Sequence, residues 1–80
     1  MNIYLLTQDA VYGYDTYDSC IVYAEDIASA RKIHPNGYSN GWERSSGTWV
    51  DTPNEVTVEL IGSTDKDVDS GVIQASFNAG

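Results

Sequence analysis

The chain has 80 residues, and its 12 acidic and 4 basic side chains give a formal net charge of −8 and an isoelectric point of about 4.1. Such a charge disfavours binding to nucleic acid and to anionic membranes, and it favours basic protein surfaces, including those that hold nucleic acid. A hydrophobic content of 41% is too high for a disordered chain, and the length predicts one domain over residues 1–80.

Cysteine usage and the start of the chain bear on the cellular compartment. The single cysteine, Cys20, excludes an intramolecular disulfide, and its apolar neighbours predict a buried, small side chain. Met1 leads directly into a strand-like segment without the basic and apolar stretches of a signal peptide. No apolar run approaches the roughly 20 residues of a membrane span. We therefore expect a soluble, cytoplasmic protein.

The first 24 residues predict a β-hairpin. Residues 2–8 are apolar and β-prone, and residues 18–24 form a second run of the same kind. The segment 9–16 between them is rich in turn residues. We expect an antiparallel pair of strands with a long connecting tip.

A short helix is expected after the hairpin. Asp26 is suited to cap its first turn, because a carboxylate can accept hydrogen bonds from free backbone amides. Ile27, Ala30 and Ile33 recur at helical spacing and are expected to face the sheet. Pro35 disfavours helical geometry at the preceding residue, so the helix should end there after about two turns.

Residues 36–54 form a long connection that contains two tryptophans. Trp42 and Trp49 are interpreted either as anchors for a partner or as a lid that fills the small core, and the core interpretation is favoured. A short extra strand at residues 48–50 is left open. Glu43 and Asp51 flank the tryptophans and are expected to be exposed.

Two further strands complete the pattern. Val56, Val58 and Leu60 alternate with polar residues as in a half-buried strand. Residues 71–78 predict the last strand, with Ile73, Ala75 and Phe77 on one face and Val72, Gln74 and Ser76 on the other. The order predicts an α+β fold, a four-stranded, mainly antiparallel sheet with one short helix on one face (β-β-α-β-β). The uncovered face would carry Tyr4, Tyr23, Thr57 and Glu59.

The foremost candidate contact site is the segment 13–18, which interleaves aromatic and acidic side chains. Tyr14 and Tyr17 offer rigid contact area, and Asp15 and Asp18 offer charge, a combination suited to protein binding. The alternative interpretation is a hairpin turn whose side chains bond and pack locally.

A second acidic segment lies between the last two strands. Asp65, Asp67 and Asp69 match the first half of an EF-hand loop, but Ser70 stands where that loop needs glycine and Ser76 where it needs glutamate. The segment is interpreted as a solvated connection or as a negative patch for a partner. With Glu43 and Asp51, these residues are second-rank candidates for partner contacts.

The sequence offers no recognisable catalytic, metal or phosphate-binding set. His34 is the only histidine and, at a helix end before proline, it is interpreted as structural. The glycines match neither GxGxxG nor GxxxxGK[ST]. We therefore expect no enzymatic activity, no cofactor and no metal.

Four stretches resemble a group of small proteins encoded by phages and prophages. They are residues 1–8, 13–19, 30–35 and 75–80, about a third of the chain. In size, acidity and its strand-then-short-helix opening, the chain is also similar to many anti-CRISPR proteins. That second resemblance implies an inhibitor that binds Cas proteins, since several anti-CRISPR proteins occupy the basic DNA-binding channels of type I surveillance complexes. It carries over no binding residue.

Charge and resemblance together predict a phage or mobile-element inhibitor that binds a host defence protein in the bacterial cytoplasm. The foremost partner is a Cas effector subunit whose target DNA binding is blocked by an acidic, DNA-mimicking surface. The alternatives are a sponge for a nucleotide immune signal, a small virion component and an antitoxin. No direct contact with nucleic acid or membrane is expected, and a homodimer is left open.

Overall fold

The computed structural model describes residues 1–44 and 47–78. Its elements are β1 (Asn2–Thr7), β2 (Thr16–Ala24), α1 (Ile27–Arg31), a 3-10 turn (Pro53–Glu55), β3 (Thr57–Ser63) and β4 (Gly71–Asn78). The strands form one antiparallel sheet in the order β3-β1-β2-β4. The predicted α+β class, with four antiparallel strands and one short helix, is confirmed. In the described ranges no helix is long and apolar enough to cross a membrane.

The helix-side face of the sheet holds the core. Alternate residues of the two central strands are buried there, because successive side chains of a strand point to opposite faces. They are Tyr4, Leu6, Cys20, Val22 and Ala24. Tyr4 is only 3% exposed, so its expected place on the uncovered face was wrong. Its alternation with Ile3 and Leu5 sets it beside Leu6 instead. Cys20 is buried as expected, and burial raises the pKa of its thiol to about 12.

The opposite surface of the sheet, called the open face here, is defined by the other residues of the same strands. Ile3 lies opposite Tyr23, and Leu5 lies opposite Ile21. All four side chains are half-buried. Thr57 and Glu59 are aligned with Thr7 and Leu5, so they share this face with Tyr23, as the sequence predicted.

The helix begins as predicted and is shorter than predicted. The Asp26 carboxylate accepts a hydrogen bond from the Ser29 amide at 2.7 Å, which lowers the pKa of Asp26. With only five residues, the helix buries one side chain, Ala30. Ile33 packs against the core from just beyond it. Ile27 is 53% exposed, so its expected sheet-facing position was wrong.

The long connection returns to the helix-side face. Trp49 is fully buried among core residues, which confirms the core interpretation. Trp42 is half-buried, and its indole N–H donates a hydrogen bond to the Lys32 carbonyl at 2.7 Å. Residues 48–50 form no strand, because the segment meets the sheet through a single bond from the Tyr17 amide to the Thr48 carbonyl, 2.8 Å long. Residues 45 and 46 of the predicted loop lie outside the described residues.

Bulges change the expected faces of the last strand. Cys20 pairs with Ala75 but Val22 pairs with Val72, so the pairing shifts around Ile73. Val72 and Ala75 therefore both pack against the core. The expected grouping of Ile73 with Ala75, and of Val72 with Gln74, was wrong because strict alternation fails at an inserted residue. Leu60 is 59% exposed at the sheet edge.

Candidate functional site at the hairpin tip

The connection between β1 and β2, residues 8–15, is called the hairpin tip here, and Gln8 organises its first half. The Gln8 amide nitrogen donates to the carbonyls of Val11 at 2.7 Å and Tyr17 at 3.0 Å. Its amide oxygen accepts from the backbone amides of Ala10 and Val11, both at 2.8 Å. One half-buried side chain thus replaces the strand hydrogen bonds that end where the tip begins.

The second half of the tip turns through two residues with positive φ. Gly13 has φ 95° and Asp15 has φ 61°. Asp is among the few side chains that tolerate this left-handed region. The Gly13 carbonyl accepts from the Thr16 hydroxyl at 2.8 Å and from the Asn78 side-chain amide at 2.9 Å. The tip is therefore bonded both to its own strand and to the end of β4.

The tip presents two tyrosines to solvent. Tyr12 is 76% exposed and Tyr14 is 74% exposed. Tyr14 was singled out in the sequence, whereas Tyr12 was missed. The position of Tyr12 within the turn-rich segment 9–16 was the sequence signal that could have identified it as exposed.

The other predicted aromatic anchor lies differently. Tyr17 is half-buried and packs against the core, with its ring centroid 4.8 Å from that of Phe77. Asp15 and Asp18 are exposed, and Asp18 sits at a shift in the pairing of β2 with β4. The tip thus combines exposed tyrosines with exposed acids, while Tyr17 contributes mainly to the interior.

Ten of the twelve acids are exposed at the two ends of the sheet, whereas Glu59 lies within β3. Five lie at the end that carries the hairpin tip, namely Asp9, Asp15, Asp18, Asp51 and Glu55. Five lie at the opposite end, namely Glu25, Asp26, Asp65, Asp67 and Asp69. The six residues of β1 separate the two ends by about 20 Å. That distance exceeds the Debye length of about 8 Å at physiological salt, so each end acts as a separate charged patch.

The structure thus brings some of the predicted acids together and separates others. Asp51 joins Asp15 and Asp18 at the tip end, because β3 begins beside the end of β1. Asp65, Asp67 and Asp69 lie at the far end. Glu43 belongs to neither group of acids. It is exposed in the long connection and immediately precedes Arg44 in the sequence.

Two of the four basic side chains are engaged within the chain. The Arg31 guanidinium donates to the carbonyls of Val56 and Pro53. The Arg44 guanidinium lies over the Tyr38 ring, 4.1 Å from its centroid, in a cation–π contact. Over residues 1–44 and 47–78, no group of three or more His, Cys, Asp or Glu side chains is placed to hold a metal ion.

His34 belongs to the interior. It is 2% exposed, and its ring lies edge-on to those of Tyr17, Trp42 and Trp49. Its Nδ1 accepts from the Asn36 amide at 3.1 Å. Burial lowers the pKa of His34 because it disfavours the charged imidazolium. The neutral ring therefore serves packing, in line with the structural interpretation.

Comparisons with known proteins do not extend this picture. No protein-family model matches the chain. No curated protein and no solved structure matches it either. The chemistry of the hairpin tip and the charge distribution are therefore the features that bear on function.

Proposed function

We propose that the chain is a phage or mobile-element inhibitor that binds a basic surface of a host defence protein through its hairpin tip. The foremost partner is a type I Cas surveillance complex in the bacterial cytoplasm, whose target DNA binding would be blocked. The observation that carries the proposal is the tip itself, where exposed Tyr12 and Tyr14 stand among exposed acids. Tyrosines supply contact area at protein interfaces, and acids supply attraction to lysine and arginine.

The geometry of the tip supports a preorganised contact. Gln8 and Asn78 hold its backbone through side-chain hydrogen bonds. A loop fixed before binding loses less conformational entropy when a partner engages it. The exposed tyrosines are therefore presented from a defined backbone rather than from a free loop.

Electrostatic competition supplies the inhibitory mechanism. B-DNA presents one negative charge per roughly 1.7 Å of its axis, and DNA-binding channels place lysines and arginines against it. The five acids at the tip end, with net charge −8 on the whole chain, would compete for those cations. Attraction of this kind raises the association rate and weakens with salt.

The nucleotide-sponge alternative is less well supported. A site for phosphates needs cationic donors, and Arg31 and Arg44 already contact carbonyls and a tyrosine ring. Titration calorimetry with cyclic nucleotides tests this alternative directly. Stoichiometric heat of binding would favour the sponge over the inhibitor.

The test uses a purified type I surveillance complex and a labelled target DNA duplex. Addition of the protein should reduce DNA binding, and less strongly at high salt. In the Asp15→Asn/Asp18→Asn double variant, inhibition should weaken by about tenfold or more. Asparagine tolerates the positive φ of position 15, so the fold of the tip is retained.

A matched control separates the tip from general acidity. The Asp65→Asn/Asp67→Asn variant removes the same two charges at the far end of the sheet and should inhibit nearly as well as the original chain. Equal loss in both double variants would show that only total charge matters. Undiminished DNA binding by the complex at every protein concentration would overturn the proposed partner.

A further inference from the structure

Strand β4 forms one edge of the sheet and is uncharged along its whole length. Its eight residues, GVIQASFN, contain neither an acidic or basic side chain nor a proline. The opposite edge, β3, carries Glu59 near its middle. Charges and prolines are common means by which edge strands avoid pairing with another chain. In a protein with 12 acids, an uncharged edge is therefore a candidate surface for strand pairing.

The second half of β4 contains no inserted residue of its own. The shift at Ile73 affects the first half, and the other shift inserts Asp18 in β2, opposite Ser76 and Phe77, rather than a residue in Gln74–Asn78. The Asn78 carbonyl points toward β2, because it accepts a hydrogen bond from the Asp15 amide. Backbone groups alternate in direction along a strand. The N–H and C=O groups of Phe77 and Ala75 therefore point away from β2, toward the free edge.

The side chains of this half are compatible with a second copy of themselves. Ala75 and Phe77 lie on the helix-side face, where Ala75 packs against the core and Phe77 contacts Tyr17. Phe77 remains 43% exposed. Ser76 is exposed on the open face, opposite Ser19. An antiparallel pair centred on Ser76 would set Phe77 of each copy beside Ala75 of the other, a large side chain beside a small one.

We propose that two copies of the chain pair antiparallel along β4, with Ser76 at the two-fold axis, to form a continuous eight-stranded sheet. In this register Ala75 of one copy and Phe77 of the other exchange both backbone hydrogen bonds. The contact is made twice, as two-fold symmetry requires. A second copy fits better than a basic partner, because β4 offers no carboxylate for a lysine or arginine to contact.

Charge repulsion between the copies at this edge depends on the salt concentration. The acid on the neighbouring strand nearest the axis is Asp18, and three strand spacings separate it from Asp18 of the second copy, about 14 Å. The Debye length is about 8 Å at physiological salt and about 30 Å at 0.01 M. Dimerisation is therefore strengthened when salt rises between these limits, whereas binding of a basic partner is weakened. This opposite salt dependence separates the dimer from the proposed inhibition, and neither depends on the other.

Sedimentation equilibrium of the full chain at both salt concentrations is the test. We expect a monomer–dimer equilibrium that shifts toward the dimer at the higher salt. Ser76→Lys places two like charges directly opposite each other at the axis and should weaken dimerisation by about tenfold. Thr57→Lys adds the same charge at an exposed position of the other edge strand and should leave dimerisation unchanged or stronger.

A cross-linking variant tests the register. Residues at a non-hydrogen-bonded antiparallel pair have Cα atoms about 4.5 Å apart, within the range that a disulfide spans. Ser76→Cys should therefore form a covalent dimer when oxidised glutathione is added, while Thr57→Cys should not. The native Cys20 is 2% exposed and serves as the internal control.

Three outcomes would overturn the dimer. The first is a monomer at every concentration and salt, and the second is a dimer that tolerates Ser76→Lys without loss. The third is a dimer that Ser76→Cys fails to cross-link while Thr57→Cys succeeds. Pairing of β4 only with a strand from another protein would appear as a monomer in this experiment, and would equally reject the second copy.

Discussion

The side-chain amide of Asn78 donates a hydrogen bond to the Gly13 carbonyl over 2.9 Å and so ties the end of β4 to the hairpin tip. Asn78→Ala should lower the free energy of unfolding by about 1 kcal/mol or less, because the bond is exposed to water. Amide exchange in the tip should accelerate. Gln74→Ala, which removes an exposed amide from the same strand, is the control. Equal exchange rates in both variants would show that the bond does not hold the tip.

Gln8 makes four hydrogen bonds to the backbone of the tip and its neighbour β2. Gln8→Ala should cost about 1–3 kcal/mol of unfolding free energy, since the paired backbone groups lose their partners. Gln8→Glu keeps the acceptors for Ala10 and Val11 but places a carboxylate against two carbonyls. Urea unfolding should rank the original chain above both variants. A glutamate variant as stable as the original would show that the two donated bonds contribute nothing.

Arg31 joins the end of the helix to the segment that leads into β3, through its bond to the Val56 carbonyl. Arg31→Met keeps the apolar stem and removes the donors, and should cost about 1–2 kcal/mol. Lys32→Met removes the same charge at the adjacent, exposed position and should cost much less. Thermal unfolding of the pair gives the comparison. Similar losses would assign the effect to charge rather than to the carbonyl contact.

Gly41 lies where a β-carbon has no room. A Cβ at this position would collide with the Asn36 side-chain oxygen and would approach the His34 Cβ to 2.6 Å. Gly41→Ala should therefore destabilise the fold by about 1–3 kcal/mol, as overpacking does elsewhere. Gly62→Ala is the control, because its Cβ would meet only the Ile3 side chain at 3.9 Å. A smaller loss at position 41 than at position 62 would contradict the packing described for the long connection.

The buried His34 predicts a dependence of stability on pH. Its pKa is lowered in the folded state by burial, so the unfolded chain binds the proton more readily. Stability from this group is complete above the unfolded pKa of about 6.5 and declines as the pH falls below it. Denaturant unfolding between about pH 7.5 and pH 5 measures the decline.

His34→Gln removes the titration and should flatten that part of the stability profile. Asp26 acts in a different range, because its pKa is lowered from 3.8 and its contribution is lost only below about pH 4. A loss of stability below about pH 4 is therefore assigned to Asp26 and not to His34. An unchanged slope between pH 7.5 and pH 5 in the variant would assign the decline to groups other than His34.

The elements of the fold could be predicted because each carries a local signal. Period-two alternation marks the strands, Asp26 marks the start of the helix, and Pro35 follows its end. The strand order could not be predicted, since pairing of β3 with β1 and of β4 with β2 depends on contacts distant in sequence. The face on which Tyr4 lies could not be predicted either, because distant contacts decide which alternating set of β1 is buried. Either alternating set of β1, Ile3 with Leu5 or Tyr4 with Leu6, was apolar enough for the core.

The candidate site was predictable in composition and not in arrangement. The tyrosine and aspartate pattern of residues 13–18 located the hairpin tip, but the burial of Tyr17 depends on Phe77 and His34 from distant segments. The division of the acids between two ends follows from the strand order alone. Gln8, which bonds the tip together, has no distinguishing pattern in the sequence.

The strand order has a consequence for how the sheet assembles. The central strands β1 and β2 are neighbours in sequence, so residues 2–24 can meet before the rest of the chain. A lone two-stranded hairpin is only marginally stable in water. Strand β3 pairs with the outer edge of β1 and strand β4 with the outer edge of β2. The link between those strands crosses the end of the hairpin, where the backbone of Thr64 exchanges hydrogen bonds with Met1. We therefore expect the sheet to fold cooperatively. The hairpin of β1 and β2 should become stably structured only when β3 and β4, which extends to Asn78, have paired with it.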